Sequence, residues 1–313
     1  MRLITHSGSF HADDVLAYAV LSGIAAFDGA SLVRTRDPEI LSSARGEDVV
    51  FDVGFEFDPE RRRFDHHMSV GKPMRDERDE YSRTIPYSSV GLIWRYFGSQ
   101  YLLDNHELDD HLEFVWDEVD RSLILPTDMT DNGMGTSFAP TSLAVAVDDF
   151  NLSWDDPDGS KDDAFVEAAR YARGLLDRRI VRAAAVARAY EAATSALEAA
   201  EDPRVVVLPR PMPWEDALFR GGFDDALYVI SEKDGTWYCS AVKTRPGSFD
   251  QRKPLPAEWA GLNGDDLALV SGVEDAIFCH AARFVCGAGS REGAVRMATT
   301  AADYGEELTS RFR

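Results

Sequence analysis

Two adjacent histidines follow an aspartate in the segment RRRFDHHMSVG, residues 61 to 71. Histidine is rare in this chain, at 7 of 313 residues, so Asp65, His66 and His67 in a row are unusual. Neutral imidazole and carboxylate groups together are the ligands that divalent transition metals prefer. The segment therefore indicates a metal site, provided that other residues of the same types can reach it.

Three further clusters contain these residue types. The segment THSGSFHADD lies where the first predicted strand gives way to the first predicted helix, Asp52 ends the next apolar run, and PTDMTDNGMG is predicted to be a polar loop after a helix. Ligands of open α/β sheets bind at the carboxyl ends of the strands, so we expect the clusters to converge. Their candidate side chains are His6, His11, Asp13, Asp14, Asp52, Asp128 and Asp131.

Each cluster alone has an ordinary interpretation. A His-x-Asp pattern near a helix start often serves capping, an aspartate after a strand often forms a turn, and Asp-His-His can be an exposed turn. Four such clusters after predicted elements favour a shared metal site. Two ions about 3.5–4 Å apart can activate water and stabilise charge on a transferring phosphoryl group.

The elements that must position these clusters alternate between strand and helix. RLITHSG and DVVFDVG are predicted to be short buried strands. ADDVLAYAVLSGIAAF, YSSVGLIWRYFG and LDDHLEFVWDEVDRSLI have helical periodicity, the second ending at Gly98. This alternation predicts an α/β domain with a mostly parallel sheet.

The polar, turn-rich stretch NLSWDDPDGSKDD, residues 151 to 163, predicts a domain boundary. Residues 1–158 would form the metal-binding catalytic domain, and residues 159–313 a long helix from Ala164 to about Ala200 with a smaller α/β domain behind it. Strands are expected at VVVL, ALYVIS and TWYCSAVK, then a strand-like stretch at DAIFCHAARFVCGAG, and Ser290 is the expected N-cap of a final helix.

Composition restricts the partners. The formal net charge is −22, from 55 acidic and 33 basic residues, so a nucleic acid would need a local basic patch or bound cations. Three cysteines are too few for a disulfide framework or a zinc cage. No run of about 18 apolar residues and no apolar signal core occurs, so we expect a soluble cytoplasmic protein without a membrane partner.

The DHH motif with its upstream His/Asp clusters resembles the DHH phosphoesterase superfamily, which includes RecJ-type exonucleases, oligoribonucleases and manganese-dependent pyrophosphatases. The segments THSGSFHADDVLA, VVFDVGFEFDPERRRFDHH and FCHAARFVCGAGSREGAVRMA are similar to the Myg (melanocyte proliferating gene) family, long labelled metal-dependent protein hydrolase. The resemblance runs from residue 5 to about residue 298. It implies a DHH-phosphoesterase-like α/β domain at the N-terminus.

The resemblance also implies roles for individual residues. Asp52 would bridge two divalent ions, His67 would face the substrate phosphate, and Asp65 would hold an imidazole in the right tautomer. His11 stands where most superfamily members carry aspartate, which favours Mn²⁺ over Mg²⁺. The implied metal ligands are His6, His11, Asp13, Asp52, His66 and Asp131, with Asp128 as the less favoured alternative to Asp131.

The implied function is a two-metal phosphoesterase, a 3′–5′ exonuclease on RNA or short single-stranded oligonucleotides. Hydrolysis of pyrophosphate or a dinucleotide, and a non-catalytic metal-binding regulatory role, stay open as alternatives. The second domain would bind substrate, although Arg283 stands where relatives usually have a small residue. The long helix could connect the domains or form a homodimer interface. The residues implied to grip phosphates are Arg252, Lys253, His280 and Arg291.

Overall fold

A computed structural model describes residues 1–134, 142–155 and 159–305. The chain divides into two compact units, Met1–Ala184 and a second that begins at Ala185. This division lies within the long helix, whereas the sequence indicated a boundary at 158/159, which stays a prediction; residues 156–158 of that polar stretch lie outside the described ranges. Over these ranges, no helix combines the length and apolar character needed to cross a membrane.

The first unit contains a five-stranded sheet in the order β2-β1-β3-β5-β4. All neighbours pair in parallel except β4, which runs antiparallel to β5. The three residues of β3 are all buried, as expected for a strand covered on both faces. The predicted α/β class with a mostly parallel sheet is confirmed. The strands are β1 Arg2–Thr5, β2 Ser31–Arg34, β3 Val49–Phe51, β4 Phe57–Asp58 and β5 Arg63–Phe64, and a separate hairpin pairs β6 Met74–Arg78 with β7 Thr84–Pro86.

The predicted helices of the first unit form, with different bounds. The first ends at Leu21 and is followed by a short 3₁₀ turn, Ala25–Phe27, so it is shorter than predicted. The long Ala- and Arg-rich helix extends from Lys161 into the second unit. The helices are α1 Ala12–Leu21, α2 Pro38–Ser42, α3 Ser89–Asn105, α4 Leu112–Val119, α5 Leu125–Asp131, α6 Leu143–Asp148 and α7 Lys161–Glu198, with a 3₁₀ turn at Asp109–His111.

Helix α3 does not end at Gly98, and that prediction was wrong. The helix continues to Asn105 because Gly98 serves packing rather than termination. A Cβ at this position would lie 2.7 Å from the Trp94 side chain and 2.8 Å from that of Trp116. The absence of a side chain at Gly98 therefore lets the two indoles stack, with ring centroids 6.2 Å apart.

The predicted loop PTDMTDNGMG is also wrong over most of its length. Helix α4 continues through a π-helical turn, Asp120–Ile124, directly into α5. Pro126 lies in the first turn of α5, where proline is tolerated. Asp128 and Asp131 therefore stand three residues apart on a helix and not on a loop; Gly135, the last residue of the segment, lies outside the described residues.

The second unit contains a five-stranded sheet in the order β11-β12-β10-β9-β8, antiparallel except for the β8/β9 pair. The stretch predicted as DAIFCHAARFVCGAG forms a hairpin of two strands. The predicted N-cap of the last helix is confirmed, since Ser290 Oγ accepts a hydrogen bond from Gly293 N at 3.0 Å. The elements are β8 Val205–Val207, α8 Glu215–Arg220, β9 Tyr228–Lys233, β10 Thr236–Ala241, the 3₁₀ turn Ala257–Trp259, α9 Gly264–Ser271, β11 Ala276–Cys279, β12 Val285–Ala288 and α10 Arg291–Asp303.

Substitution of Gly91 by alanine is expected to destabilise the protein by about 2–3 kcal/mol, because overpacking a fixed neighbour has costs of that order. A methyl group at Gly91 in α3 would overlap both carboxylate oxygens of Asp128. That carboxylate cannot move easily, since Arg75 Nε donates to it at 2.6 Å and Ser88 N at 3.0 Å. Urea unfolding measures the change.

The matched control is Gly174→Ala in α7, where a Cβ would meet nothing within 4 Å. Alanine is the better helix former by roughly 0.5–1 kcal/mol, so this variant should be slightly more stable than the unsubstituted protein. Equal stability of the two variants would contradict the packing argument for Gly91.

Candidate metal centre

Three candidate ligands follow three strands that are neighbours in the first sheet. His6 follows β1, Asp52 follows β3 and His66 comes two residues after β5. Because β1, β3 and β5 are parallel and adjacent, their carboxyl ends place these side chains together. Asp52 lies between the imidazoles, with Oδ2 3.2 Å from His6 Nε2 and Oδ1 3.2 Å from His66 Nε2.

The position of Asp52 is set by its backbone and by one hydroxyl. Its φ of +56° is in the left-handed region, which few non-glycine residues adopt. Gly54 and Phe55 in the same loop also have positive φ values, so the backbone turns sharply after β3. The Ser89 hydroxyl, at the start of α3, donates to Asp52 Oδ1 at 2.8 Å. Strained conformations of this kind persist where surrounding contacts fix them, often at functional sites.

Substitution of Ser89 by alanine is expected to weaken the binding of a divalent metal about tenfold, because hydrogen bonds to a ligating carboxylate orient it for the metal. The variant loses the hydroxyl's bond to Asp52 and its longer contact with Phe64 O at 3.4 Å, and the fold should keep most of its stability. Calorimetric titration with Mn²⁺ measures the effect. Ser42→Ala, which removes an exposed hydroxyl bonded to Glu39 O, is the control and should bind the metal as tightly as the unsubstituted protein.

Two carboxylates come from the first turn of α1. Asp13 and Asp14 are both fully buried. Asp14 Oδ1 accepts a hydrogen bond from His11 N at 2.8 Å, while its Oδ2 lies 3.1 Å from His6 Nε2. Asp13 Oδ2 lies 3.7 Å from His66 Nε2. The sequence placed Asp14 in the cluster but not among the ligands; its contact with His6 makes it a candidate of equal standing.

The last residue of α5 reaches the same cluster. Asp131 Oδ2 lies 3.5 Å from His66 Nε2, and candidate ligand atoms of His11, Asp13 and Asp131 lie within 4.8 Å of one another. Asp128 instead accepts hydrogen bonds from Arg75 Nε at 2.6 Å and from the Ser88 hydroxyl at 2.5 Å. The geometry therefore groups Asp131 with the other candidates and gives Asp128 a structural ion pair.

Asp65 holds the turn that carries the two histidines. One oxygen accepts from His66 N at 2.7 Å and from His67 N at 3.1 Å, and the other accepts from Phe55 N at 2.6 Å. Asp65 Oδ1 is also 2.7 Å from His67 Nδ1, which orients that half-exposed ring with Nδ1 as the donor. This hydrogen bond to Asp65 raises the pKa of His67. The Nε2 atom of His67 is then available for another partner.

Burial and mutual repulsion shift the pKa values of the cluster. Burial raises the pKa of Asp13 well above its ordinary value, and the charges of Asp52 and Asp131 raise it further. Burial would also raise the pKa of Asp52, but the imidazoles of His6 and His66, each with Nε2 3.2 Å from one of its carboxylate oxygens, hold that pKa well below its usual range. For His6, burial lowers the pKa, yet hydrogen bonds to Asp14 and Asp52 outweigh it and raise the pKa to about 10. The cluster thus favours positive charge at its centre.

Buried polar atoms that lack a hydrogen-bond partner indicate where a cation could bind in the cluster. Asp13 Oδ1 and both ring nitrogens of His66 are buried and have no hydrogen-bond partner among the described residues. Such atoms are rare in folded proteins and often face an ion or water. A donor set of imidazole nitrogen and carboxylate oxygen suits divalent transition metals, so these residues fit a metal. Three groups within 4.8 Å can be defined: Asp52, His66 and His67; His6, Asp14 and Asp52; and His11, Asp13 and Asp131.

Comparison with known proteins gives the family. The family described as Uncharacterised protein family (UPF0160), MYG1_exonuc, matches residues 2–302. The chain belongs to the MYG1 family. The human MYG1 exonuclease is 32% identical over 336 residues, which cover 95% of this chain and 84% of the human protein. The MYG1 protein of Schizosaccharomyces pombe is 32% identical over 330 residues, covering 97% and 98%. The resemblance to this family is confirmed.

Among solved structures, this MYG1-family chain is similar to RecJ in complex with Mn²⁺ from Thermus thermophilus. The sequence identity is 16% and the TM-score 0.28. The alignment covers all of this chain and 52% of RecJ, so the chain spans about half the length of that protein.

The phosphate-binding candidates of the MYG1-family chain lie in its second unit. The segments that carry them are neighbours there, since Leu255 N donates to Arg283 O at 3.0 Å. Arg252 Nη1, however, donates to three backbone carbonyls, at 2.7–3.0 Å, and the Lys253 ammonium donates to Ala302 O. These two cations brace the backbone of their own unit, so their role in substrate binding stays a prediction.

His280 and Arg291 are exposed. The His280 ring lies 4.4 Å from that of Phe284, and its Nδ1 accepts a hydrogen bond from Ala282 N at 3.0 Å. Arg291 is the first residue of α10. Arg283, the departure noted in the sequence, has a φ of +59° and donates to Leu255 O at 3.3 Å. The roles of His280 and Arg291 as phosphate ligands remain predictions.

Proposed function

We propose that this chain is a metal-dependent exonuclease that shortens RNA or short single-stranded oligonucleotides from the 3′ end, with two divalent ions and a preference for Mn²⁺. It belongs to a family whose relatives are named MYG1 exonuclease, which supports a hydrolytic enzyme. The observation that carries the proposal is the position of Asp52 between His6 and His66 at the carboxyl edge of the sheet. One carboxylate with an imidazole at each oxygen is the arrangement expected of a ligand shared by two ions.

The cluster supplies two sets of ligands that share Asp52. His6 and Asp14 would complete one set, and His66 with Asp13, Asp131 and His11 the other. A divalent metal bound here supplies positive charge to the phosphoryl oxygens and lowers the pKa of a bound water. Acidic side chains alone would repel a phosphodiester.

His67 is proposed to contact the substrate directly. Asp65 fixes its ring through Nδ1, and the half-exposed ring leaves Nε2 to donate a hydrogen bond to a phosphoryl oxygen. The raised pKa of His67 favours the protonated form that can donate from both nitrogens. A donor fixed before the reaction stabilises charge that develops on the phosphoryl group.

A cavity beside the cluster offers room for substrate. Its volume is about 740 Å³, within the usual range for ligand pockets of about 300–1,000 Å³. His11, Asp13 and Asp131 form part of its wall, and Tyr171 and Arg179 of α7 another part. With a net charge of −22, the chain should bind short oligonucleotides more readily than long polymers.

The test uses protein stripped of metal and then given Mn²⁺, Mg²⁺ or neither. RNA labelled at the 5′ end and, separately, at the 3′ end is supplied, with inorganic pyrophosphate in parallel. A metal-dependent ladder from 5′-labelled RNA together with immediate release of the 3′ label supports a 3′–5′ exonuclease. Turnover of pyrophosphate with intact RNA would move the function to small phosphate compounds, and turnover of neither would favour a binding role.

The same proposal places the enzyme in the cytoplasm, in line with its composition. A homodimer through α7 is a separate prediction, which light scattering on the full chain tests.

A further inference from the structure

Within the part of the chain that the structure describes, two cations beside the ligand cluster have no carboxylate partner. Arg36 follows β2, and its Nη2 lies 3.0 Å from His6 Nδ1 while its Nε donates to Ser7 O at 3.1 Å. Lys72 follows the histidine pair along the chain, and its ammonium donates to Asn132 Oδ1 at 2.6 Å. In the described ranges, neither side chain has a carboxylate oxygen within the 4.0 Å of an ion pair.

Other basic side chains of the first unit are used differently. The Arg75 guanidinium is buried between Asp120, at 2.7 Å, and Asp128, at 2.6 Å. Arg34 is nearly fully buried, donates to Gly8 O at 2.7 Å and packs over the Phe165 ring. These contacts hold the fold together. Arg36 is exposed and Lys72 is half-buried, so neither side chain is buried in the core as those of Arg75 and Arg34 are.

The absence of ion pairs is informative in this chain. The chain has 55 acidic and 33 basic residues, so a basic side chain on its surface has many carboxylates with which it could form an ion pair. Arg36 and Lys72 lie beside the carboxylates of the ligand cluster, yet within the described ranges the polar contacts of their side chains are with the His6 ring, Ser7 O and Asn132 Oδ1. Their charges are therefore available to an anionic ligand that approaches the metal centre.

We propose that Arg36 and Lys72 bind backbone phosphates of the substrate strand next to the phosphate that is cleaved. This inference rests on the proposed exonuclease function and specifies its substrate: a strand with several phosphates, not a lone diester or pyrophosphate. Arg36 adjoins His6, and Lys72 adjoins Asn132, the residue after Asp131, so the two cations lie beside different members of the ligand cluster. A guanidinium can bind a phosphate through two parallel hydrogen bonds, and an ammonium acts as a point charge.

Arg36→Ala and Lys72→Ala test the inference on a short single-stranded RNA with Mn²⁺ present. Each should lower kcat/KM about tenfold, mainly through KM, because a phosphate contact away from the reacting atoms is made equally in the ground and transition states. The slope of log kcat/KM against log salt should become shallower by about 0.7 for each cation removed. Mn²⁺ affinity, measured by calorimetry, should match that of the unsubstituted protein.

Arg45→Ala is the matched control. Arg45 is exposed and precedes β3, whereas the metal ligand Asp52 follows that strand, so it lies at the opposite end of the sheet. Arg45→Ala removes one positive charge, as Arg36→Ala and Lys72→Ala do. It should leave kcat/KM and the slope of log kcat/KM against log salt unchanged. A second arm replaces single linkages of the RNA by neutral methylphosphonate. At the linkage that Arg36 contacts, the unsubstituted protein and Arg36→Ala should become equal, since the charge pair is then absent from both.

The outcomes separate the two proposals. No RNA cleavage by the unsubstituted protein overturns the proposed function and this inference together. RNA cleavage with both variants indistinguishable from Arg45→Ala overturns the inference alone. A loss of Mn²⁺ affinity in Arg36→Ala also overturns it for Arg36, because that residue would then act by positioning His6.

Discussion

Asparagine in place of Asp52 is expected to lower nuclease activity at least about a thousandfold, since under the proposed function two ions would share this carboxylate and it would contribute several kcal/mol through them. The amide is nearly isosteric with the carboxylate, and its oxygen can still accept from Ser89 Oγ. It carries no charge, however, and offers one oxygen where the carboxylate offers an oxygen to His6 and another to His66. Initial rates on labelled RNA, with the metal concentration varied, measure the loss.

The effect of Mn²⁺ on thermal stability is a second, independent test of Asp52→Asn. A ligand that binds only the folded state stabilises it by about 2.7 kcal/mol at a hundred times its Kd. Mn²⁺ should therefore raise the Tm of the unsubstituted protein and have little effect on Asp52→Asn. Asp58→Asn is the control, because an amide oxygen can still accept from the backbone N–H groups of Glu60 and Arg61. Full activity or an unchanged Mn²⁺ response in Asp52→Asn would contradict a metal-bridging role.

The convergence of the cluster could be predicted from the sequence because it depends on local patterns. Short apolar runs mark β1 and β3, and polar residues directly after them mark the carboxyl edge of a parallel sheet. His6 and Asp52 were assigned to that edge for this reason, and the structure places them 3.2 Å apart. The pattern of apolar residues located the strands, and the direction of each strand showed which of its ends carries the polar residues.

Contacts between distant segments could not be predicted in this way. Ser89 reaches Asp52 across 37 residues, and Arg75 reaches Asp128 across 53. No local pattern reports which of two aspartates on one helix will be drawn to an arginine elsewhere in the chain. The loop prediction for PTDMTDNGMG was wrong for a related reason: Pro126 fits the first turn of a helix that continues from a preceding one, and the segment alone does not show that context.

Alanine substitutions of the two adjacent histidines are expected to impair different properties, Mn²⁺ affinity for His66 and the reaction rate for His67. His66 is buried, neither of its ring nitrogens has a hydrogen-bond partner in the described ranges, and its Nε2 lies 3.2 Å from Asp52 Oδ1. Loss of this imidazole should lower Mn²⁺ affinity at least about a hundredfold, since removing a ligand costs more than removing one of its supporting partners. Calorimetry with Mn²⁺ measures it directly, without substrate.

His67→Ala should keep Mn²⁺ affinity close to that of the unsubstituted protein and lose about 10²–10³ in the rate of a single turnover, the range expected for a positioned donor in the transition state. Its side chain is half exposed, and its Nδ1 is already engaged by Asp65 at 2.7 Å. His67→Gln, which restores one N–H donor, should recover part of the rate.

The pair of measurements decides between two assignments of the DHH motif. His67 can also be grouped with Asp52 and His66 as a potential ligand. If His67→Ala loses Mn²⁺ as severely as His66→Ala, both histidines bind metal and the donor role is wrong. If instead His66→Ala lowers Mn²⁺ affinity and His67→Ala lowers the rate, the two histidines have different roles. The buried imidazole of His66 then binds the ions, and the half-exposed imidazole of His67 contacts the phosphate. Asp65 fixes the turn that carries both.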